Sequence, residues 1–257
     1  MLLDDLKNKK NSNGIIQLPD VDPSLEKLFS TYLKKAKKVY SDEEIRLLPY
    51  ASERNPHKSE WEIRTRSFLR LRDYLSKKSK RLNILDVGCG NGWLIGQLAK
   101  ESDHEYFGID IVTTELEKAA RLFNYENVHF IHGDISKSSL PTDTFNIIIL
   151  NSSLSYFKEL DKLLKELLLI SKTYGEVHII DTLFYNNNEL MLNKNKSLKY
   201  FTYIGSPEMA PFYFHHTMDE FRYFRYEILF NPGSLKNKLT NYFFGIDSQY
   251  PWILVTR

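Results

Sequence analysis

The sequence predicts an α/β protein built on a doubly wound, mainly parallel sheet, with a helical extension ahead of it. Three observations lead to this class. From Asn83 to Leu94 the chain reads as strand, glycine turn and helix. Ile84, Leu85 and Val87 are an apolar β-type run, Gly88, Gly90 and Gly92 follow within five residues, and Trp93, Leu94, Leu98 and Ala99 recur at helical spacing. β-type runs then alternate with helical patterns as far as Asp181, the order that yields parallel strands with crossover helices. Phe145 to Leu150 is almost uninterruptedly apolar, as expected for a strand covered on both faces.

Composition bounds the class further. A chain of 257 residues suits one α/β domain with additions. With 42% hydrophobic and 26% charged residues it has a globular make-up, and a net charge of +2 predicts no general attraction to nucleic acid or membrane. No apolar run approaches the roughly 18 residues of a membrane span, and Met1 to Lys10 lacks the apolar core of a signal peptide. Cys89 is the single cysteine. It excludes an intrachain disulfide and suits a reducing, cytoplasmic setting. It reads as a small residue filling the glycine turn rather than as a nucleophile.

Taken in order, residues 1 to about 20 read as a mobile lead-in, polar and rich in Asn and Lys from Lys7 to Gly14. Asp22-Pro23 is a helix start, an N-cap followed by proline. Leu25, Leu28, Phe29, Tyr32 and Leu33 then share one helical face. Lys34, Lys35, Lys37 and Lys38 form a basic run, either a solvated face or a contact for phosphate or an acidic partner. Ser41 to Glu44 has the form of a capping box. Leu48-Pro49-Tyr50 opens an irregular stretch through Pro56. A helix is predicted from about Ser59 to Ser76, with Trp61, Phe68, Leu71 and Leu75 on its buried face.

After the glycine turn, Glu105 to Ile109 is a strand ending at Asp110, eighteen residues after Gly92. An acidic residue there suits a bidentate hydrogen bond to two ribose hydroxyls, in NAD as in other adenosine cofactors. Glu115 to Phe123 is the next helix, and Val128 to His132 the third strand, leading into Gly133-Asp134-Ile135. His129 and His132 read as structural or exposed. The fourth strand, Phe145 to Leu150, ends at Asn151-Ser152-Ser153-Leu154. Glu159 to Lys172 carries a stripe of Leu160, Leu163, Leu164, Leu167 and Leu168 that packs on the sheet. Gly175 is read as its stop, and Val177 to Ile180 as the fifth strand.

The glycine spacing separates cofactors. A dinucleotide fingerprint needs a small residue at the third conserved position so that helix and strand pack closely. Counted from Gly88 that position is Trp93. What stands instead, from Asp86 to Gly92, is D-x-G-x-G-x-G. It resembles the first motif of the class I S-adenosylmethionine-dependent methyltransferases, and the agreement runs for about a hundred residues, from Ile84 to Asp181. The resemblance implies a seven-stranded Rossmann-like sheet whose last two strands, the final one antiparallel, come from Tyr226 to Phe230 and Trp252 to Thr256. It implies S-adenosylmethionine as cofactor, held at Asp86, Gly88 and Gly90. Asp110 and Ile111 would serve the ribose. Asp134 would accept from the adenine amino group, and Ile135 would contact the ring. Asn151 would stand between cofactor and acceptor.

A helical extension over residues 1–80 would then lid the domain formed by residues 81–257. Its Arg64 would reach the methionine carboxylate, with Trp61 covering the cofactor; the competing reading is a surface arginine and a core tryptophan. Asn151-Ser152-Ser153-Leu154 departs from the Asp/Asn-Pro-Pro-Tyr/Phe signature of enzymes that methylate exocyclic amines of nucleobases or glutamine, which argues against amino methylation of DNA.

Acceptor recognition falls to an aromatic insert at about 182–216, with Phe184, Tyr185, Tyr200, Phe201, Tyr203, Phe212, Tyr213, Phe214, His215 and His216. Loops at the carboxyl ends of parallel strands bind ligands. This one reads as a wall for an apolar or planar acceptor, or else as a dimer contact or packed subdomain. Thr217 to Glu220 caps a short helix. His215 or His216 is the candidate general base, because histidine titrates near neutrality, and Tyr213 is a weaker one. No carboxylate or further histidine stands at metal-ligand spacing from this pair, so no metal is expected.

The reading is a small-molecule methyltransferase, a possible homodimer with no membrane or nucleic-acid partner. Three alternatives remain. One is a non-catalytic S-adenosylmethionine-binding partner subunit. Another is an RNA or protein methyltransferase using Lys77, Lys78, Lys80 and Arg81. The third is an NAD-dependent oxidoreductase.

Overall fold

The structure, a computed structural model, describes residues 3–7, 9–19, 21–137, 140–235, 237 and 248–257. The chain enters through a short helix, α1 (Leu3–Lys7), and a two-residue strand, β1 (Ile16–Gln17). The expected mobile lead-in is overturned. Leu6, Ile15 and Ile16 are fully buried, and the Asn11 side chain closes the turn between them by accepting from Asn13 N and Ile15 N. These apolar residues are too widely spaced to set up a period, so the polar run between them dominates the sequence.

Three helices follow: α2 (Pro23–Lys35), α3 (Asp42–Leu47) and α4 (Lys58–Leu75). The Asp22 side chain accepts from Ser24 N at the start of α2, and Ser41 with Glu44 forms the capping box of α3. α4 buries Trp61, Phe68, Leu71 and Leu75. The alternating core is β2 (Asn83–Val87), α5 (Trp93–Leu98), β3 (Glu105–Asp110), α6 (Thr113–Leu122), β4 (Val128–His132), β5 (Phe145–Asn151), α7 (Leu160–Ile170) and β6 (Ser171–Ile180). Beyond it lie β7 (Phe184–Tyr185), α8 (Leu190–Tyr203), β8 (His216–Thr217), β9 (Arg225–Phe230) and β10 (Trp252–Thr256).

The main sheet runs β1-β4-β3-β2-β5-β6-β10-β9. Its strands are parallel except β10, which is antiparallel to both β6 and β9. It has eight strands where seven were expected, because β1 pairs with the outer edge of β4. Successive residues of a strand point to opposite faces, and the two cores follow from that. Ile84, Tyr106 and Ile147 join α4, α5 and α6 on one face, and Leu85, Phe107 and Ile148 join α7 on the other.

Gly175 does not stop α7. The helix ends at Ile170, where the Ser171 hydroxyl donates to Leu168 O and the chain turns directly into β6. The register against β5 jumps from Phe145–Ser171 to Ile147–Glu176. Gly175 sits in that bulge, where a Cβ would lie 2.8 Å from Lys172 O. The insert is also more ordered than a loop, since it carries α8 and a 3₁₀ turn at Pro207–Phe212.

Candidate active site

The site begins at the turn after β2, where the three glycines have different reasons to be glycine. Gly88, Gly90 and Gly92 all have left-handed φ, at +74°, +52° and +71°. A Cβ on Gly88 would lie 2.6 Å from Ser153 Cβ, and one on Gly92 2.5 Å from the Phe130 ring. Around Gly90 a Cβ would meet nothing within 4 Å. Two glycines therefore let the turn pack on its neighbours, and the third leaves bare backbone facing a cavity. Cys89 is buried, and its Sγ occupies the space beside Gly108. Burial pushes its thiol well above the ordinary value, so it is inert packing.

Carboxylates and amides follow at the carboxyl ends of the strands. Asp110, ending β3, accepts from Gly90 N (2.8 Å) and Val112 N (2.9 Å), which clamps the glycine turn to the next loop. Asp86 on β2 is 2% exposed, and its Oδ1 has no partner. Burial, and then the charge of Asp110, push its carboxyl up to about 8. Asp134, beyond β4, accepts from the backbone and hydroxyl of Ser136. Asn151 Oδ1 at the end of β5 lacks a partner.

The next residues strain the backbone. Ser152 and Asp181, directly after β5 and β6, sit at φ +58° and +54°. Asp181 Oδ1 accepts from the Ser67 hydroxyl at 2.6 Å, while its Oδ2 has no partner. Burial raises its carboxyl, and Arg64 opposes that rise.

These groups line one cavity of about 720 Å³, within the range of small-molecule sites. Its wall includes Arg64, Asp86, Gly88, Gly90, Asp110, Ile111, Asp134, Ile135 and Asn151, every position expected at the cofactor. Arg64 comes from α4 and is not a surface residue. It donates to Glu60 Oε1 (2.6 Å) and Ser152 Oγ (2.9 Å) and lies over the Trp61 ring, 4.8 Å from its centroid. Trp61 is a core residue that donates to the Tyr40 hydroxyl and meets Trp93 edge to face. Burial favours protonation of Glu60, but Arg64 and Lys38 outweigh it and hold the carboxyl down to about 2.

The other end of the cavity is aromatic. Phe29 and Tyr32 come from α2, Tyr156 from the turn after β5, and Tyr185, Tyr200, Phe201 and Tyr213 from the insert. The rings interlock edge to face: Phe29–Tyr156 at 5.0 Å, Tyr32–Phe201 at 5.6 Å and Tyr156–Tyr213 at 5.8 Å. Burial pushes the phenols of Tyr32, Tyr156 and Tyr213 above their usual range. They remain neutral hydroxyls at physiological pH.

Neither histidine lines this wall. His215 stands one layer behind, its Nε2 hydrogen-bonded to Ser197 Oγ at 2.9 Å and its ring against Tyr185 and Tyr213. His216 is 2% exposed and pairs through Nδ1 with Glu220 Oε2 at 3.1 Å. The pairing of β8 with β7 holds the pair back from the cavity. Sequence reasoning missed Glu60, Asp181 and Tyr156 as wall residues, and it placed Tyr32 only on one face of the first predicted helix. Asp181 had a signal, its position at the end of a parallel strand. Among the described residues, no group of three or more His, Cys, Asp or Glu is placed to hold a metal, and no helix is long and apolar enough to cross a membrane.

The cavity lies across the carboxyl edge of a mostly parallel sheet, where doubly wound α/β proteins bind their ligands. Residues 78–241 match the model of a methyltransferase domain family, and the chain belongs to that family. Over 107 residues it is 36% identical to malonyl-[acyl-carrier protein] O-methyltransferase of Acetivibrio thermocellus, covering 41% of this chain and 38% of that protein. Over 112 residues it is 28% identical to phosphoethanolamine N-methyltransferase 1 of Zea mays, covering 42% and 22%. The chain thus spans well under half the length of these curated relatives. The plantazolicin methyltransferase BpumL, solved with a desmethyl analogue and S-adenosylhomocysteine, aligns at TM-score 0.54 and 20% identity over 92% of each chain. YcgJ of Bacillus subtilis aligns at 0.56 and 16% identity, covering 74% of this chain and 98% of that one. Both share its fold.

Proposed function

We propose that the protein transfers a methyl group from S-adenosylmethionine to a small-molecule acceptor in the cytoplasm. The observation that carries the reading is the continuity of the cavity, from the glycine turn with its acidic groups to the ring-lined chamber. The residues present fit the cofactor. Gly90 offers open backbone at left-handed φ, and the buried, unpartnered Oδ1 of Asp86 is an acceptor in want of a donor such as an ammonium group. Asp110 and Ile111 would hold the ribose, Asp134 and Ile135 the adenine, and Arg64 the carboxylate. When bound, the cofactor supplies an electrophilic methyl on a sulfonium, with a good leaving group.

The chain's own work is then positioning and exclusion of water. Phe29, Tyr32, Tyr156 and Tyr213 form the wall that excludes water. Ser152 and Asp181, held by their strand ends, present polar groups at the boundary between the two halves of the cavity. A general base is needed only for an acceptor that must lose its proton before attack. Asp181 lines the cavity itself, whereas His215 reaches it only through Ser197.

The test is calorimetric titration of ligand-stripped protein with S-adenosylmethionine, S-adenosylhomocysteine and NAD. Binding of both adenosyl ligands without NAD is expected. Extracts of small metabolites should then yield a product heavier by one methyl group. Binding of NAD alone would overturn the proposal, and so would silence from both adenosyl ligands in folded protein.

A further inference from the structure

The cavity is capped by two elements from distant parts of the chain. α2 and the α8 insert meet through a small cluster of Tyr32, Ala36, Phe201 and Met209, separate from both main cores, and Lys35 Nζ contacts Gly205 O at the end of α8. The inner side of α8 supplies Asn193, Lys196, Ser197 and Tyr200 to the cavity wall. Its outer side mixes exposed apolar side chains with exposed Lys194, Asn195, Lys199 and Thr202. Met191 is 71% exposed, Leu192 56%, Leu198 49% and Tyr203 90%. Only Phe201 of this 14-residue helix is buried.

The charge on the cap is one-sided. α8 carries Lys194, Lys196 and Lys199 and no acidic residue, and none of these lysines is ion-paired with a described residue. The adjoining end of α2 adds exposed Lys34, Lys35 and Lys37. With Lys196 turned to the cavity wall, exposed Lys194 and Lys199 on α8 and Lys34, Lys35 and Lys37 at the end of α2 leave the cap basic in a chain whose net charge is only +2. Glu189 and Glu208 flank α8 in the chain, and Asp219 accepts from the Asn187 side chain just ahead of it. A small overall charge gives no general attraction to anions, but a concentrated patch gives a local one.

We propose that this cap docks on the surface of an anionic lipid bilayer. Exposed apolar side chains among lysines suit a soft interface that offers both hydrocarbon and negative headgroups. A nucleic-acid backbone would pair with the lysines but give no return for Met191, Leu192 and Leu198. The same helix roofs the cavity, so docking sets the ring-lined chamber against the bilayer, and an acceptor with an apolar portion passes between them without crossing water. Docking does not depend on which acceptor is methylated, or on methyl transfer at all.

The test is co-sedimentation of the full chain with vesicles, one set of phosphatidylcholine alone and one of phosphatidylcholine with phosphatidylglycerol. Binding is expected only to the second set, and raised salt should remove most of it. Lys194→Gln with Lys199→Gln should weaken partitioning roughly 30-fold, about fivefold for each lysine lost. Met191→Ser with Leu192→Ser should weaken it while leaving its salt dependence. Lys77→Gln with Lys80→Gln, ahead of β2 and away from the cap, should change nothing. All these side chains are exposed, so the variants should fold, and far-ultraviolet dichroism checks that. No partitioning to anionic vesicles would overturn the proposal, as would equal loss in the Lys77/Lys80 control. If the apolar pair instead altered a monomer–dimer equilibrium and left vesicle binding intact, the face would be a contact between two copies of this chain.

Discussion

Replacing Asp86 with asparagine should make the protein more stable and less able to bind its cofactor. The Asp86 carboxyl is 2% exposed with Oδ1 unpartnered, and burial followed by repulsion from Asp110 raises it from 3.8 to about 8. At pH 7 the native state thus keeps a proton that the unfolded chain has released. Stability falls as pH rises between the unfolded and folded values, and it levels off above the folded one. At about 1.4 kcal/mol per unit, the upper bound at pH 7 is ~4 kcal/mol. An asparagine side chain in its place has the same shape and no charge to desolvate. Melting curves from pH 4 to 9 should show wild type and Asp86→Asn nearly equal at pH 4. The gap should then widen to several degrees by pH 8 in favour of the variant, at roughly 2–4 °C per kcal/mol for a chain of this size. Affinity for S-adenosylmethionine should fall at least ~10-fold, the worth of one hydrogen bond to a charged partner. Parallel melting profiles for the two proteins would refute the argument, because they would mean that Asp86 is ionised at ordinary pH.

Asp110→Ala should weaken S-adenosylmethionine binding at least ~10-fold through loss of charge-assisted hydrogen bonds, with a melting shift of only a few degrees, read by calorimetry and dichroism. Gly92→Ala should cost more than ~2 kcal/mol of stability in denaturant titration, because its Cβ would strike the Phe130 ring at 2.5 Å. Gly90→Ala should cost only about 1 kcal/mol for its left-handed φ yet impair ligand binding, since the new methyl enters the open cavity. Arg64→Lys should reduce affinity for S-adenosylmethionine while leaving that for adenosine nearly unchanged. Equal losses for the two ligands would remove Arg64 from the carboxylate.

The fold was legible wherever burial repeats with a period. β2 to β6 sit where apolar runs end in Gly, Asp or Asn, because a strand buried on both faces has little freedom of composition. β9 and β10 fell close to the residues that the family resemblance implied, although β9 is largely exposed and carries no buried period of its own. β1 was not legible, since a two-residue edge strand contributes no period and its burial depends on β4 being there to receive it. Gly175 misled because a glycine after a leucine stripe has the form of a helix stop. The Ser171–Leu168 hydrogen bond that ends α7 leaves no such mark in composition.

The two halves of the cavity differ in legibility for a physical reason. The glycine-turn end is assembled from strand ends, and each strand carries its own wall residue with it: Asp86 and Gly90 with β2, Asp110 with β3, Asn151 with β5. Local sequence therefore dictates local position. The aromatic end has no such coupling. Tyr32, Tyr156 and Tyr213 lie far apart in the chain and meet only because α2 and the insert fold over the sheet's edge. Tyr213 was marked only as one ring of an aromatic insert, and Tyr32 and Tyr156, taken alone, have the sequence context of ordinary core rings. His215 and His216 show the converse. Adjacent histidines in an aromatic loop draw the eye, but β8 turns one toward Glu220 and sets the other behind Ser197. The sheet does control Ser152 and Asp181, which follow β5 and β6 directly and line the same cavity, so under the proposed function these strand-end groups, and not the histidines, are the ones placed to meet an acceptor.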